Sequence, residues 1–129
     1  MSDTIDVARH FADYYYTAIG EIIGHITGKG IRESLTLEDV EKLQRYVVVQ
    51  EETVLDRLFR AYRGQFNALH QQYGNDILKS LTQEFAQIRD VHGCATLEEK
   101  FDKGIKAYVR ENVLNNFKIR LASIRTQLE

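Results

Sequence analysis

The sequence predicts an all-α protein, a bundle of four to five helices. Three observations carry that reading. Proline, which ends helices and is common in loops, is absent from all 129 residues. Apolar side chains recur at intervals of three and four along most of the chain, the period of one helix face. Turn-forming glycines and capping residues punctuate the periodic stretches at intervals suited to packed helices.

The first helix is expected from about Thr4 to Thr27. Ala8, Ala12, Tyr15, Ile19, Ile22 and Ile26 form its stripe, which Phe11 and Ile23 widen. "TGKG" ends it, with Gly28 or Gly30 available for a left-handed cap. The second helix opens at Thr36, a good N-cap, with Glu38 and Asp39 in the first turn, where the helix dipole favours acids. Its stripe of Val40, Val47, Val54, Leu58, Tyr62, Phe66, Leu69 and Tyr73 runs to Gly74-Asn75. That is long for one helix of a small domain, and the β-branched run Val47 to Val49 is the expected place of a bend or break. Glu51 falls in the middle of this stripe: either it is a buried acid facing Arg63, His70 or another helix, at a cost of several kcal/mol if unpaired, or a bend at "VVVQEE" lets it reach water, the reading favoured here.

A third helix is expected from Asp76 to Asp90, with Ile77, Leu81, Phe85 and Ile88 inward, followed by a turn at "HGC". Thr96 and Glu99 then make a capping-box pattern that starts a final helix reaching Leu128. That helix changes face. Leu97, Phe101, Ile105 and Tyr108 point nearly opposite to Val113, Phe117, Leu121, Ile124 and Leu128 at about 100° per residue. A bend or break between Val109 and Asn116 is expected.

Composition narrows the function. A chain of this length makes one domain, 1–129, with 43% hydrophobic residues, too many for disorder. A net charge of −2 gives no general reason to expect nucleic acid. The single cysteine, Cys94, excludes an intrachain disulfide and a cysteine-based zinc site. The N-terminus lacks a signal-peptide pattern, and no stretch approaches a membrane span, so the cytoplasm is the expected compartment. Phosphate-loop, dinucleotide, serine-hydrolase and zinc-protease motifs are absent.

The most suggestive short stretch is "RGQFNALH". Arg63 and His70 lie two helical turns apart, about 10 Å along one side of the helix, flanking the stripe. An arginine that holds a phosphate beside a histidine that moves a proton is a plausible nuclease pair. The stretch resembles the arginine, four-to-six residues, histidine motif of the HEPN superfamily, small all-helical proteins that include dimeric ribonucleases of toxin–antitoxin and defence systems. The resemblance implies a metal-independent ribonuclease with Arg63 and His70 as catalytic residues and RNA as substrate. Two departures stand out: Gly64 follows the arginine, and Gln71-Gln72-Tyr73 follows the histidine where the toxin subgroup has a closer tyrosine. "AYRGQFNALH" is also similar to the stretch ahead of the haem-ligating histidine of truncated globins, which would make His70 the ligand of a cofactor-binding sensor.

Other polar groups give weaker signals. His10, His25, His70 and His92 are scattered, and Glu21 with His25 supplies only two ligands, fewer than zinc takes from a protein. No metal site and no cofactor are expected. Lys103, Lys106, Arg110, Lys118, Arg120 and Arg125 on the last helix read as a solvated face. Gly20, Gly24 and Gly28 form a ridge at four-residue spacing that permits close approach of another helix. This ridge and the end of the last helix offer more apolar surface than one small bundle covers. The expectation is therefore a non-enzymatic regulatory or accessory protein acting through protein contacts as a homodimer, with Gly20, Gly24, Phe117, Leu121, Ile124 and Leu128 at the interface.

Overall fold

The computed structural model describes residues 7–30, 33–74 and 96–129. The expected helix from Asp76 to Asp90, the "HGC" turn, Cys94 and His92 lie outside those residues. The described chain is all helical: α1 Val7–Thr27, α2 Leu37–Val49, α3 Glu51–Tyr73, α4 Leu97–Tyr108, a π-helical segment Val109–Leu114, and α5 Asn115–Leu128. No strand occurs among the described residues.

Local chemistry accounts for most element ends. Gly28 adopts φ 73°, a conformation that costs other residues dearly, and donates its N–H to Gly24 O at 2.9 Å, closing α1. Thr36 and Asp39 form a reciprocal capping box on α2. The Asp39 carboxylate also takes a 2.6 Å ion pair from Lys29, which ties the end of α1 to the start of α2. Thr96 accepts from the Glu99 N–H and starts α4. The long second helix divides at Gln50, whose φ −110° and ψ 34° leave the helical region directly after the valine run. Glu51 thereby becomes the first residue of α3. It is half-buried and pairs with Lys118 at 3.5 Å, so it reaches charge and water instead of the core.

The cross-helix contacts fix the architecture. Going down α3 and α2, Phe66 meets Phe101, Arg63 meets Asp102, Phe59 meets Lys106, Glu51 meets Lys118, and Gln44 and Glu41 meet Arg125. One set of numbers falls as the other rises. The α2–α3 pair is therefore a jointed rod lying antiparallel to the continuous α4–π–α5 rod. Helix α1 packs over both. Phe11 and Tyr14 place their rings edge-on to Tyr62 at 5.2 and 5.1 Å, and the fully buried Tyr62 hydroxyl donates to Phe11 O at 3.3 Å. Burial holds the Tyr62 pKa far above its ordinary value, so this hydroxyl stays a donor.

The expected break in the last helix takes another form. Val109 and Asn115 keep right-handed helical dihedrals, so the helix does not end. Instead, Asn115 N–H bonds to Arg110 O, five residues back. Widening the turn by one residue sets the following helix back by about 100°. That offset absorbs most of the reversal seen in the sequence, and Phe101, Ile105, Val109, Val113, Leu114, Phe117 and Leu121 all enter one core.

Two outcomes follow. Deleting the exposed Glu111 should turn the π segment into α-helix while keeping α5 in register. The variant should keep the helical circular dichroism and cooperative melting of the wild type, whereas deleting the buried Ala107 should abolish cooperative melting. Acid provides the second. The Lys29 ammonium, and then the Thr36 N–H, hold the Asp39 carboxyl at about 2, below its ordinary 3.8. A depressed carboxyl contributes stability above its unfolded pKa and loses it as pH falls through the folded one. The melting-temperature gap between wild type and Asp39→Asn should be full at pH 6 and shrink between about pH 4 and 2.

Candidate functional site

The residues singled out by the sequence come only partly together. Arg63 and His70 both lie on α3 and share Phe66. The Arg63 guanidinium stands 4.8 Å from the centre of that ring, and the exposed His70 stacks nearly parallel to it at 5.8 Å. Arg63 is also committed elsewhere, with Nε 2.8 Å from Asp102 Oδ1 and a nitrogen 2.9 Å from Asn67 Oδ1. To hold a phosphate, this arginine would have to leave a carboxylate that already neutralises it. The geometry ties α3 to α4 and caps the edge of the Phe66–Phe101 contact. Among the described residues no hydrogen bond orients His70, and its ring lies exposed against Phe66. His10 and His25 are exposed on α1, and among the described residues no three histidine, cysteine, aspartate or glutamate side chains converge.

The basic residues of the last rod are mostly engaged by their own chain. Lys106 lies 5.0 Å above the Phe59 ring, Lys118 meets Glu51, and Arg125 binds Glu41, Gln44 and Glu129. The expected interface residues separate into two groups. Phe117 and Leu121 are each 1% exposed and belong to the core, and Ile124 is half-buried against it. Phe117 and Leu121 therefore have no surface left for a second copy, because the π offset turns them inward. Leu128 is exposed, as is Gly24, while Gly20 is half-buried. A Cβ at Gly24 would meet only Lys29 O, at an ordinary 3.8 Å. Nothing in the described chain requires glycine there, although an exposed helical glycine costs about 1 kcal/mol relative to alanine.

A more open concave feature lies elsewhere. An open groove of about 610 Å³ runs between α1 and the π–α5 rod. Ala12, Tyr15 and Tyr16 form one wall; Asn112, Asn116, Ile119 and Arg120 form most of the other. The two helices run parallel, since Phe11 meets Tyr108 and, further along both, Tyr16 meets Arg120. Tyr16 is 56% exposed and Ile119 67%, two of the largest apolar side chains left in solvent. Beyond the groove, α5 presents Asn115, Asn116, Ile119, Ala122, Ser123 and Thr126, all exposed and all uncharged, at intervals that place them on one face. In a chain with 28% charged residues, a bare helix face of that length stands out. Arg120 is the one charged group among the described residues lining the groove, and its guanidinium rests 5.7 Å from the Tyr16 ring.

The sequence held two signals for this surface that the apolar stripe concealed. One is the tyrosine run 14–16, too wide to fit a single inward face. The other is the charge-free spacing 115, 119, 122 and 126. The groove depends on the π segment, which contributes Asn112 and Val113 to its wall. Comparisons of the chain with protein-family models, curated proteins and solved structures find no match. No helix among the described residues is long and apolar enough to cross a membrane.

The Arg63–Asp102 geometry carries an expected outcome. Wild type and His70→Ala should degrade a panel of single-stranded and structured RNAs at the same background rate, followed by gel. Cleavage by wild type that the substitution abolishes, with circular dichroism unchanged, would restore the nuclease reading.

Proposed function

We propose that this chain is a non-enzymatic regulatory or accessory protein that acts through protein–protein contact, and that it pairs with a second copy through the α1/α5 face. The observation that carries the reading is the exposed pair Tyr16 and Ile119 at the lip of a groove set in an uncharged helix face. Centres of protein interfaces are depleted in charge and enriched in aromatic residues and arginine, and a few such side chains supply most of the binding energy. Tyr15, Tyr16 and Arg120 have that composition.

A neutral face also suits self-pairing. Two copies brought together by a twofold axis present the same surface to each other, so like charges near the axis would repel. The small residues Ala12, Gly20 and Gly24 on α1 and Ala122 and Ser123 on α5 let helices approach closely around the two larger knobs. This reading gives Gly24 the role that packing within the described chain does not.

Sedimentation tests it. Wild type at tens of micromolar should run as a dimer, given an affinity of about 1 μM. Ile119→Glu should run as a monomer with unchanged helical circular dichroism, because residue 119 contributes nothing to the core. Leu121→Glu, placing a carboxylate at a core position, should aggregate or unfold. Wild-type sedimentation as a monomer would refute the pairing.

A further inference from the structure

A smaller cleft adjoins the groove, and Arg120 borders both. Its volume is about 120 Å³. Ile19, Phe117 and Leu121, all members of the core, make its floor, and the half-buried Leu35 and Ile124 flank it. Two exposed charged side chains complete the lining: Glu33 from the loop before α2, and Arg120 from α5. The loop that carries Glu33 and Leu35 is braced. The Glu33 N–H donates to Gly30 O at 3.0 Å, and the Lys29 ammonium donates to Ser34 O at 3.4 Å while it pairs with Asp39. Leu35 directly precedes Thr36, the cap of α2.

The two charges are opposite in sign, yet neither closes on the other. No ion pair joins them among the described residues, and the Arg120 guanidinium lies instead 5.7 Å from the Tyr16 ring. That is close to the outer limit of about 6 Å for a cation–π contact, at an exposed site where such contacts are weak. Arg120 can therefore leave Tyr16 at little cost for a stronger partner in the cleft it already borders.

The lining selects a ligand by its chemistry. An apolar floor edged by one cation and one anion suits a molecule with an apolar chain and both charges at one end. A fatty acid would satisfy Arg120 and be repelled by Glu33. An alkylamine would do the reverse. A free α-amino acid answers both, with its carboxylate on the guanidinium and its ammonium on the glutamate. Volume sets the side chain. Apolar cavities of about 150 Å³ take benzene, so a cleft of about 120 Å³ suits a branched four-carbon chain better than a benzyl or indole group.

We infer that this cleft binds a free branched-chain α-amino acid of leucine or isoleucine size, held by Arg120 and Glu33 over the Ile19–Phe117–Leu121 floor. Binding draws Arg120 away from Tyr16, so the ligand also alters the lip of the groove. The inference stands apart from the self-pairing proposed above.

Leucine titrated into the full chain, followed by amide and methyl resonances, tests it. Shifts should centre on Ile19, Leu35, Leu121 and Ile124 and saturate at millimolar leucine. Alanine should bind at least tenfold more weakly, since each buried methylene is worth about fourfold. Leucinamide lacks the carboxylate and N-acetyl-leucine lacks the ammonium, so each should also lose at least tenfold. That pair separates a free amino acid from the end of a peptide and tests both charges on the unaltered chain. Glu33→Gln and Arg120→Gln, both at exposed positions, should each weaken leucine binding at least tenfold with unchanged helical circular dichroism. Arg60→Gln, on the exposed side of α3, should bind like wild type. Absence of shifts at millimolar leucine would overturn the inference. So would equal binding of leucinamide or N-acetyl-leucine, or unchanged binding by either cleft variant. Sedimentation as monomer or dimer bears on the pairing alone.

Discussion

One constraint shapes the molecule: a single long helix must bury its apolar face against two elements that do not share a direction. Its first half, α4, packs on α3 through Phe101 and Ile105. Its second half, α5, packs chiefly on α2, while Phe117 and Leu121 line a cleft shared with Ile19 and Ile23 of α1. Chains often meet this by breaking the helix, which exposes backbone groups at two new ends that need caps. Here the backbone stays helical and the bonding widens to five residues over Val109–Leu114, which turns the face without a cap. The opposite rod meets the same problem by a joint at Gln50. The joint and the π segment lie on facing rods, close to where Glu51 pairs with Lys118. The register of the core and the groove beside α1 both depend on this offset.

Much of the fold was legible in the sequence because its signals are local. Thr36 and Thr96 cap the helices they were expected to cap, and the valine run marks the joint within a residue. The face reversal in the last helix correctly located an irregularity between Val109 and Asn116. Its physical form was not legible, because a helical wheel records only direction and cannot distinguish a break from an extra residue in one turn. The same gap explains the misplacement of Phe117 and Leu121. Drawn as a regular α-helix, they point away from the first core set, toward an imagined partner. Moved back by about 100°, they join the core.

The candidate site was less legible for a different reason. Arg63 and His70 were conspicuous as residue types, but the atom that defines Arg63's environment, Asp102 Oδ1, comes from a helix almost forty positions away. Likewise, the groove is made by two helices at opposite ends of the chain. Tyr15 and Tyr16 acquire meaning only when Asn116, Ile119 and Arg120 stand opposite them. Single-helix periodicity rewards inward residues, so it passes over exposed neutral faces. Yet absence of charge is itself informative where the remaining surface is rich in salt bridges, since water-facing helices gain solubility and pairwise support from charged side chains.

The central claim is that the α1/α5 face meets a second copy of the chain. Amide resonances followed over a concentration series would test it most directly, because they report location as well as association. The account predicts shifts that grow from low to tens of micromolar protein and cluster at Ala12–Gly24 and Asn112–Thr126, leaving the exposed side of α3 around Arg60 and Asn67 unchanged. Spectra independent of concentration, or shifts centred on α3, would contradict it.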